Sequence, residues 1–191
     1  NMVIFKQALV SIICNAYIKV TIISTTTFFH VVIKSLDYII IYVSANKENA
    51  FHSLLEKVGG IVEKSISLGL PIKGAIAKGE CTVCMGIKPF FFGQPIIDAY
   101  TLEESVVLYG VVLHNTVEEL AEKELVKSKL VFDYKVPLKG GASKHYILSW
   151  FAVNMENNIK NLNTIRKTVS DSPRRYIDNT MDSIDFYNTL K

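Results

Sequence analysis

The chain has 191 residues, of which 49% are hydrophobic, enough apolar material for the core of one domain. Its formal net charge of +3 arises from 21 basic and 18 acidic residues without a long run of either sign. This balance argues against a dedicated nucleic-acid binder, so we expect no nucleic-acid partner. Three cysteines are too few for a disulfide framework and are typical of a reducing, cytoplasmic compartment.

The first 44 residues are strongly apolar, yet polar and charged side chains interrupt them, among them Lys6, Lys19, Lys34 and Asp37. No uncharged run reaches the roughly 18 residues that a membrane-spanning helix needs. We therefore expect a buried core here and no membrane span.

The N-terminal quarter is predicted to contain one element of ambiguous type followed by β-rich runs. Residues 5–14 are apolar on most faces, which indicates a buried helix or its remains but leaves the element type ambiguous. Residues 19–27 are rich in β-branched side chains, and residues 28–33 and 37–44 form two further β-rich runs. The short polar link between the last two runs predicts a β-hairpin with Asp37 at its tip.

The middle of the chain alternates helices and strands. Residues 46–68 carry apolar side chains at three- and four-residue spacing, which predicts an amphipathic helix. Residues 72–80 predict a strand, with residues 81–88 as its hairpin partner. Residues 89–93 are predicted to be a loop and residues 94–108 a second helix.

The remaining chain continues the alternation and then becomes polar. The predicted elements are a strand at 110–113, a helix at 116–125 opened by a Thr116-to-Glu119 capping box, strands at 130–137 and 146–151, and a helical pair beyond 153. This pattern predicts one α+β domain over residues 1–153 and a C-terminal helical extension over residues 154–191.

Three stretches in chain order resemble the class III adenylate and guanylate (nucleotidyl) cyclase homology domain. Residues 34–44 are similar to the family's hairpin, residues 70–80 to the strand that ends in a glycine near the triphosphate, and residues 91–103 to the aromatic-glycine turn with its following helix. The resemblance covers residues 28–125. It implies a ferredoxin-like α+β fold, with a mixed or antiparallel central sheet flanked by helices.

The resemblance also implies a site. In the family an aspartate at the start of the second hairpin strand binds divalent cations, which implies Mg²⁺ or Mn²⁺ at Asp37. Lys34, Gly74, Phe92 and Gly93 then stand where the family contacts its nucleoside triphosphate. The family builds its sites between two subunits arranged head to tail, which implies a homodimer.

The chain departs from the family at the positions that carry catalysis. The two-metal site needs a further carboxylate on an earlier strand, and residues 1–36 contain no Asp or Glu. The places of the family's helical Asn and Arg fall near Ile97 and Thr101, and the base-reading acid falls near Phe90. We therefore assign no catalytic residue.

Structural roles compete with these assignments. Asp37 also suits a hairpin turn through its side-chain hydrogen bonds, and lysines near strand ends are commonly just solvated. Cys81 and Cys84 have metal-ligand spacing but lack a second pair. Asp98 and Lys73 are the polar groups nearest to a divergent site.

Three functions stay open. The first is a catalytically degenerate cyclase-like protein that acts as a nucleotide-sensing or dimerising module. The second is an active nucleotidyl cyclase, a phosphorus-oxygen lyase, whose first acid lies outside this chain and whose cyclic product, a pyrimidine nucleotide included, serves bacterial signalling or antiphage defence. The third is a structural protein that shares only the fold.

Overall fold

A mixed sheet covered by helices organises the computed structural model, which describes residues 2–14, 30–34, 38–44, 49–84 and 90–191. The strands are β1 (Met2–Cys14), β2 (His30–Lys34), β3 (Tyr38–Ser44), β4 (Lys73–Cys84), β5 (Phe90–Phe92), β6 (Gly110–Leu113), β7 (Val131–Leu138) and β8 (Gly141–Leu148). The helices are α1 (Ala50–Ser67), α2 (Gln94–Ser105), α3 (Glu118–Lys127), α4 (Met155–Arg166) and α5 (Asp171–Thr189). The predicted α+β class is confirmed.

The described strands form one sheet in the order β2-β3-β1-β4-β6-β8-β7, and β5 pairs with the far end of β4. β4 and β6 are parallel, and the other strand pairs are antiparallel. β1 therefore lies between the hairpin of β2 and β3 on one side and β4 on the other.

The N-terminal segment is a strand, so the helical interpretation of residues 5–14 is wrong. Ile13 pairs with Ile39 of β3 on one side and with Gly74 of β4 on the other. A central strand reads as a continuous apolar run, which periodicity alone cannot distinguish from a buried helix.

The strand predicted at residues 72–80 runs through Cys84, because β1 is 13 residues long and pairs with it at both ends, with a register shift between Phe5 and Ala8. Met2 stands opposite Cys84 and Cys14 opposite Lys73. The predicted partner at 81–88 is therefore wrong, and the true partner, β5, lies in the segment predicted to be a loop.

In the second half of the chain several elements begin or end at residues other than those predicted, for local reasons. β8 begins at Gly141, directly after a two-residue turn, so the strand predicted at 146–151 starts earlier and ends at Leu148. The predicted capping box is absent, since the Thr116 hydroxyl accepts the Lys78 N–H at 3.0 Å and α3 begins at Glu118. The predicted second helix ends at Ser105.

The hairpin, the first helix and the C-terminal helical pair are confirmed as elements. The β-rich run at 19–27 and Asp37 lie outside the described residues. Among the described helices, none is long and apolar enough to cross a bilayer.

The core joins the sheet to the C-terminal helices. Leu162 of α4 and Ile177 and Ile184 of α5 are fully buried in the same apolar cluster as the strands. Tyr187 of α5 meets the ring of Phe132 on β7 edge to face, with centroids 5.0 Å apart. Residues 154–191 therefore supply core side chains to the sheet domain.

Helix α2 lies directly against β4. Residues 73, 75, 77 and 79 alternate along the strand and so share one face of it. Ala75 and Ala77 are fully buried, and a Cβ at Gly79 would stand 3.0 Å from Cδ of Pro95 in α2. These small residues let the helix approach the strand closely, which fixes α2 along the length of β4.

Candidate functional site

The predicted metal ligand, Asp37, lies in the sequence between the described strands β2 and β3. Lys34 is the last residue of β2 and pairs with Tyr38, the first residue of β3. Asp37 lies outside the described residues, so its metal-binding role stays a prediction. Lys34 is placed by its backbone at this end of the hairpin.

Gly74 lies at the same end of the sheet as the hairpin turn. A row of paired residues runs from Lys34 through Tyr38 and Cys14 to Lys73, the neighbour of Gly74. Since adjacent strands are about 4.8 Å apart, Lys34 and Gly74 are separated by three strand spacings, about 14 Å.

Phe92 and Gly93 lie at the opposite end of β4. Phe92 pairs with Thr82, and a strand rises about 3.4 Å per residue, so the interval from Gly74 to Thr82 spans about 27 Å. Within one chain the predicted substrate residues therefore form two separate groups, Lys34 with Gly74 and Phe92 with Gly93.

Gly93 occupies a position that a larger residue cannot adopt without strain. Its φ is +152°, and a Cβ there would collide with the Glu80 carbonyl oxygen and stand 2.9 Å from Cα of Cys81. The glycine lets the chain turn from β5 into α2 against the backbone of β4. This is a structural reason for the aromatic-glycine motif.

An exposed apolar patch surrounds this turn. We define the α2 patch as Phe92, Ile97 and Tyr100, which are 71%, 56% and 44% exposed. Ile97 and Tyr100 are three residues apart and so lie on one side of the helix. Thr101, at the place of the family's arginine, is also exposed. Neither Ile97 nor Thr101 carries a cationic group.

Lys73 is engaged in a buried ion pair. Its ammonium lies 3.1 Å from Oε1 of Glu103, donates to the Glu103 carbonyl at 2.7 Å and stands 5.7 Å from the ring centre of Tyr176. The side chain of Glu103 is fully buried and that of Lys73 is 10% exposed. These contacts fasten α2 and α5 to β4.

The middle of α5 holds the link between α2 and β6. The Tyr109 N–H donates to Oγ1 of Thr180 at 2.8 Å, and the Thr180 hydroxyl lies within donating distance of the carbonyls of Tyr176 and Tyr109. Asn179 donates to the carbonyl of Val107 at 2.5 Å. A polar network therefore fills the Lys73 end of the sheet.

The described residues do not fit a two-metal site. β1, the strand beside the hairpin, contains no Asp or Glu, so it offers no carboxylate to share cations with Asp37. In the described part of the chain no three His, Cys, Asp or Glu side chains cluster closely enough to hold a metal ion.

A cavity of about 520 Å³ opens between α2, the β6–α3 link and β8. Most of the residues that line it are polar, including Asp98, Thr101, His114, Glu118 and His145. The described pairing of β6 with β8 is confined to Val112 and Ile147, which leaves the earlier part of β8 apart from β6 and makes room for the cavity.

The two histidines of the cavity are held by backbone and hydroxyl groups. Nδ1 of His114 accepts the N–H of Thr116 and lies 3.1 Å from its hydroxyl. Burial lowers the pKa of His145, opposed by a hydrogen bond to the Leu113 backbone and assisted by the nearby His114. His145 therefore favours its neutral form more than a solvated histidine does.

A second polar cluster joins α1 to α3. Oε1 of Glu124 lies 2.6 Å from Nδ1 of His52 and accepts from the Ser128 hydroxyl at 2.5 Å. Burial is the largest influence on the Glu124 pKa and raises it, but the hydrogen bonds from Ser128 and His52, with the charges of His52 and Lys127, outweigh burial and hold the pKa below its ordinary value.

Sequence reasoning missed the cavity and the buried ion pair. The histidines occur singly along the chain, and they meet only because β6 and β8 are neighbours in the sheet. Lys73 and Glu103 are 30 residues apart, and nothing in their spacing indicates a pair. Asp98, considered a candidate from sequence, lines the cavity and accepts from Gln94 at 2.8 Å.

No protein-family model matches the chain, and no curated protein matches it in sequence. Among solved structures it is similar to the catalytic core of a rhodopsin-guanylyl cyclase with converted specificity, in a crystal structure with ATPαS. That match has a TM-score of 0.54 at 12% identity and covers 78% of this chain and 98% of the other. At this identity the likeness shows the fold alone, and the chain has a cyclase-like fold.

Proposed function

We propose that the chain is a cyclase-like module that binds a nucleoside triphosphate as a homodimer and does not cyclise it. The observation that carries the proposal is the separation of Lys34 and Gly74 from Phe92 and Gly93 by about 27 Å along β4. A triphosphate cannot touch both groups of one chain, whereas two chains packed head to tail bring one group from each together.

The surface of α2 supports the dimer. Phe92, Ile97 and Tyr100 are large apolar side chains exposed on the single chain, and such a patch beside polar surroundings is typical of an interaction site. A second copy of this chain is the proposed partner, because the patch adjoins one of the two separated groups.

The proposal that the chain does not cyclise is supported by the lack of cationic side chains on α2 and of carboxylates on β1. In-line attack on a phosphate requires cations and donors that neutralise the developing charge. Ile97 and Thr101 offer no positive charge on α2, and β1 offers no carboxylate for metal ions. If Mg²⁺ or Mn²⁺ binds at all, a single Asp37 would hold it weakly.

Incubation with each of the four nucleoside triphosphates and Mn²⁺ tests both parts of the proposal. We expect at least one triphosphate to raise the melting temperature and no cyclic product to form. A cyclic nucleotide would instead establish the active-cyclase alternative. If no cyclic product forms and no triphosphate raises the melting temperature, only a structural role is left. The proposed compartment is the cytoplasm, which the sparse cysteines support.

A further inference from the structure

We propose that the cavity between α2 and β8 is a binding site for an uncharged nucleoside. Thr101, at the place of the family's arginine, lies in its wall. None of the residues predicted from the sequence to bind substrate lines it. The inference depends on the chemistry of the wall and not on the dimer.

The charge of the wall disfavours a phosphate. Asp98 and Glu118 contribute two carboxylates. The lining cation, Lys144, has its ammonium 2.6 Å from the carboxylate of Asp133. An anion entering here would meet two carboxylates and a cation that is already paired. The wall therefore disfavours an anion, and its carboxylates can accept hydrogen bonds from a ligand, such as those of the hydroxyl groups of a ribose.

His114 and Asn115 supply a complementary donor and acceptor. Because Nδ1 of His114 accepts from Thr116, the neutral ring carries its proton on Nε2 and can donate. Asn115 also lines the cavity, and its side-chain amide both donates and accepts hydrogen bonds. One donor and one acceptor together match the amide-like edge of a nucleobase.

Size and apolar surface agree with this class of ligand. The volume of about 520 Å³ lies within the range of small-molecule pockets. Tyr146, Leu102 and Leu113 line the same space and offer apolar surface on which a planar base can lie. Glu118 and Asp98 remain for the sugar hydroxyls.

The test uses adenosine, guanosine, cytidine and uridine as separate probes with the full chain. We expect one or more to raise the melting temperature and to shift the imidazole ¹⁵N resonances of His114 and His145. We expect Glu118→Ala to weaken that nucleoside about tenfold or more, since a hydrogen bond to a charged group is lost. Glu119→Ala is the matched control, because Glu119 shares the first turn of α3 and does not line the cavity.

Several results would overturn the proposal. These are no binding of any nucleoside at millimolar concentration, equal affinity in Glu118→Ala and the wild type, or binding of spermidine instead of nucleosides. Triphosphates that shift the two histidines as strongly as nucleosides would also overturn it. Failure of triphosphate binding elsewhere would leave the nucleoside result untouched, so the two proposals fail separately.

Discussion

The two ends of β4 differ in how their functional-looking residues are used. At the Lys73 end the charged and hydroxyl groups make internal contacts. Lys73 forms an ion pair with Glu103, and the Thr180 hydroxyl accepts a hydrogen bond from the Tyr109 N–H. At the Thr82 end the chain exposes Phe92 beside a glycine turn. A lysine near a strand end therefore does not indicate phosphate binding unless its partners are known. An exposed aromatic side chain, in contrast, is accessible to a binding partner.

The largest expected effect is at the buried ion pair. We expect Lys73→Met to lower the free energy of unfolding by about 3–5 kcal/mol, because the buried carboxylate of Glu103 loses the ammonium that pairs with it. Urea denaturation measures the change. Lys139→Met is the control, since Lys139 pairs at 3.5 Å with Glu104 on the exposed side of α2 and should cost less than about 1 kcal/mol. Equal losses in both variants would contradict the account of this end.

At the other end of β4 we expect Gly93→Ala to cost about 2–3 kcal/mol, since the added Cβ meets the Glu80 carbonyl at a backbone φ of +152°. Gly60→Ala is a control in the exposed interior of α1, where no atom lies within 4 Å and alanine should raise stability by up to about 1 kcal/mol. Thermal unfolding of the two variants should shift in opposite directions, and a stabilised Gly93→Ala would contradict the close approach.

The hydroxyl of Thr180 provides a smaller test at the Lys73 end. Thr180→Val keeps the shape but leaves the Tyr109 N–H without its acceptor, so we expect a loss of about 1–3 kcal/mol in chemical denaturation. Thr189→Val removes a hydroxyl at the exposed end of the same helix and should change little. Indistinguishable variants would mean that α5 does not depend on this contact.

The smallest effect concerns pH and lies outside both ends of β4. The Glu124 pKa is lowered in the folded state, so its stabilising contribution is present above its ordinary pKa near 4.5 and is lost as the pH falls through the lowered value. We expect Glu124→Gln to cost about 1 kcal/mol at neutral pH and the gap from the wild type to close in acid. A stability difference between the wild type and Glu124→Gln that grows in acid would contradict this pH dependence. Glu122→Gln is the control at an exposed position of the same helix.

The sequence predicted most elements because their signals are local. The stripe of Leu54, Val58 and Val62 marks α1, and the runs beside Asp37 mark the hairpin. The sequence failed where the outcome depends on a distant partner. Residues 5–14 are a strand because β3 and β4 lie on both sides, and β4 extends to Cys84 because β1 is long enough to pair with it.

The candidate site was predictable only as motifs. Phe92 and Gly93 were found because an aromatic-glycine pair before a helix is a local pattern. Their separation from Gly74 follows from counting residues along one strand, which requires knowing that β4 is continuous. The ion pair of Lys73 with Glu103 requires α2 to lie along β4, which no spacing in the sequence encodes.

The most direct test of the split site is triphosphate binding by a variant that cannot dimerise. Ile97→Glu places a charge in the exposed α2 patch, where it should leave the fold intact and break a head-to-tail pair. By light scattering and calorimetry, we predict that the wild type is a dimer that binds a nucleoside triphosphate and that Ile97→Glu is a folded monomer that does not. A wild type that is monomeric at tens of micromolar, or a monomeric variant that binds the triphosphate unchanged, would contradict the account.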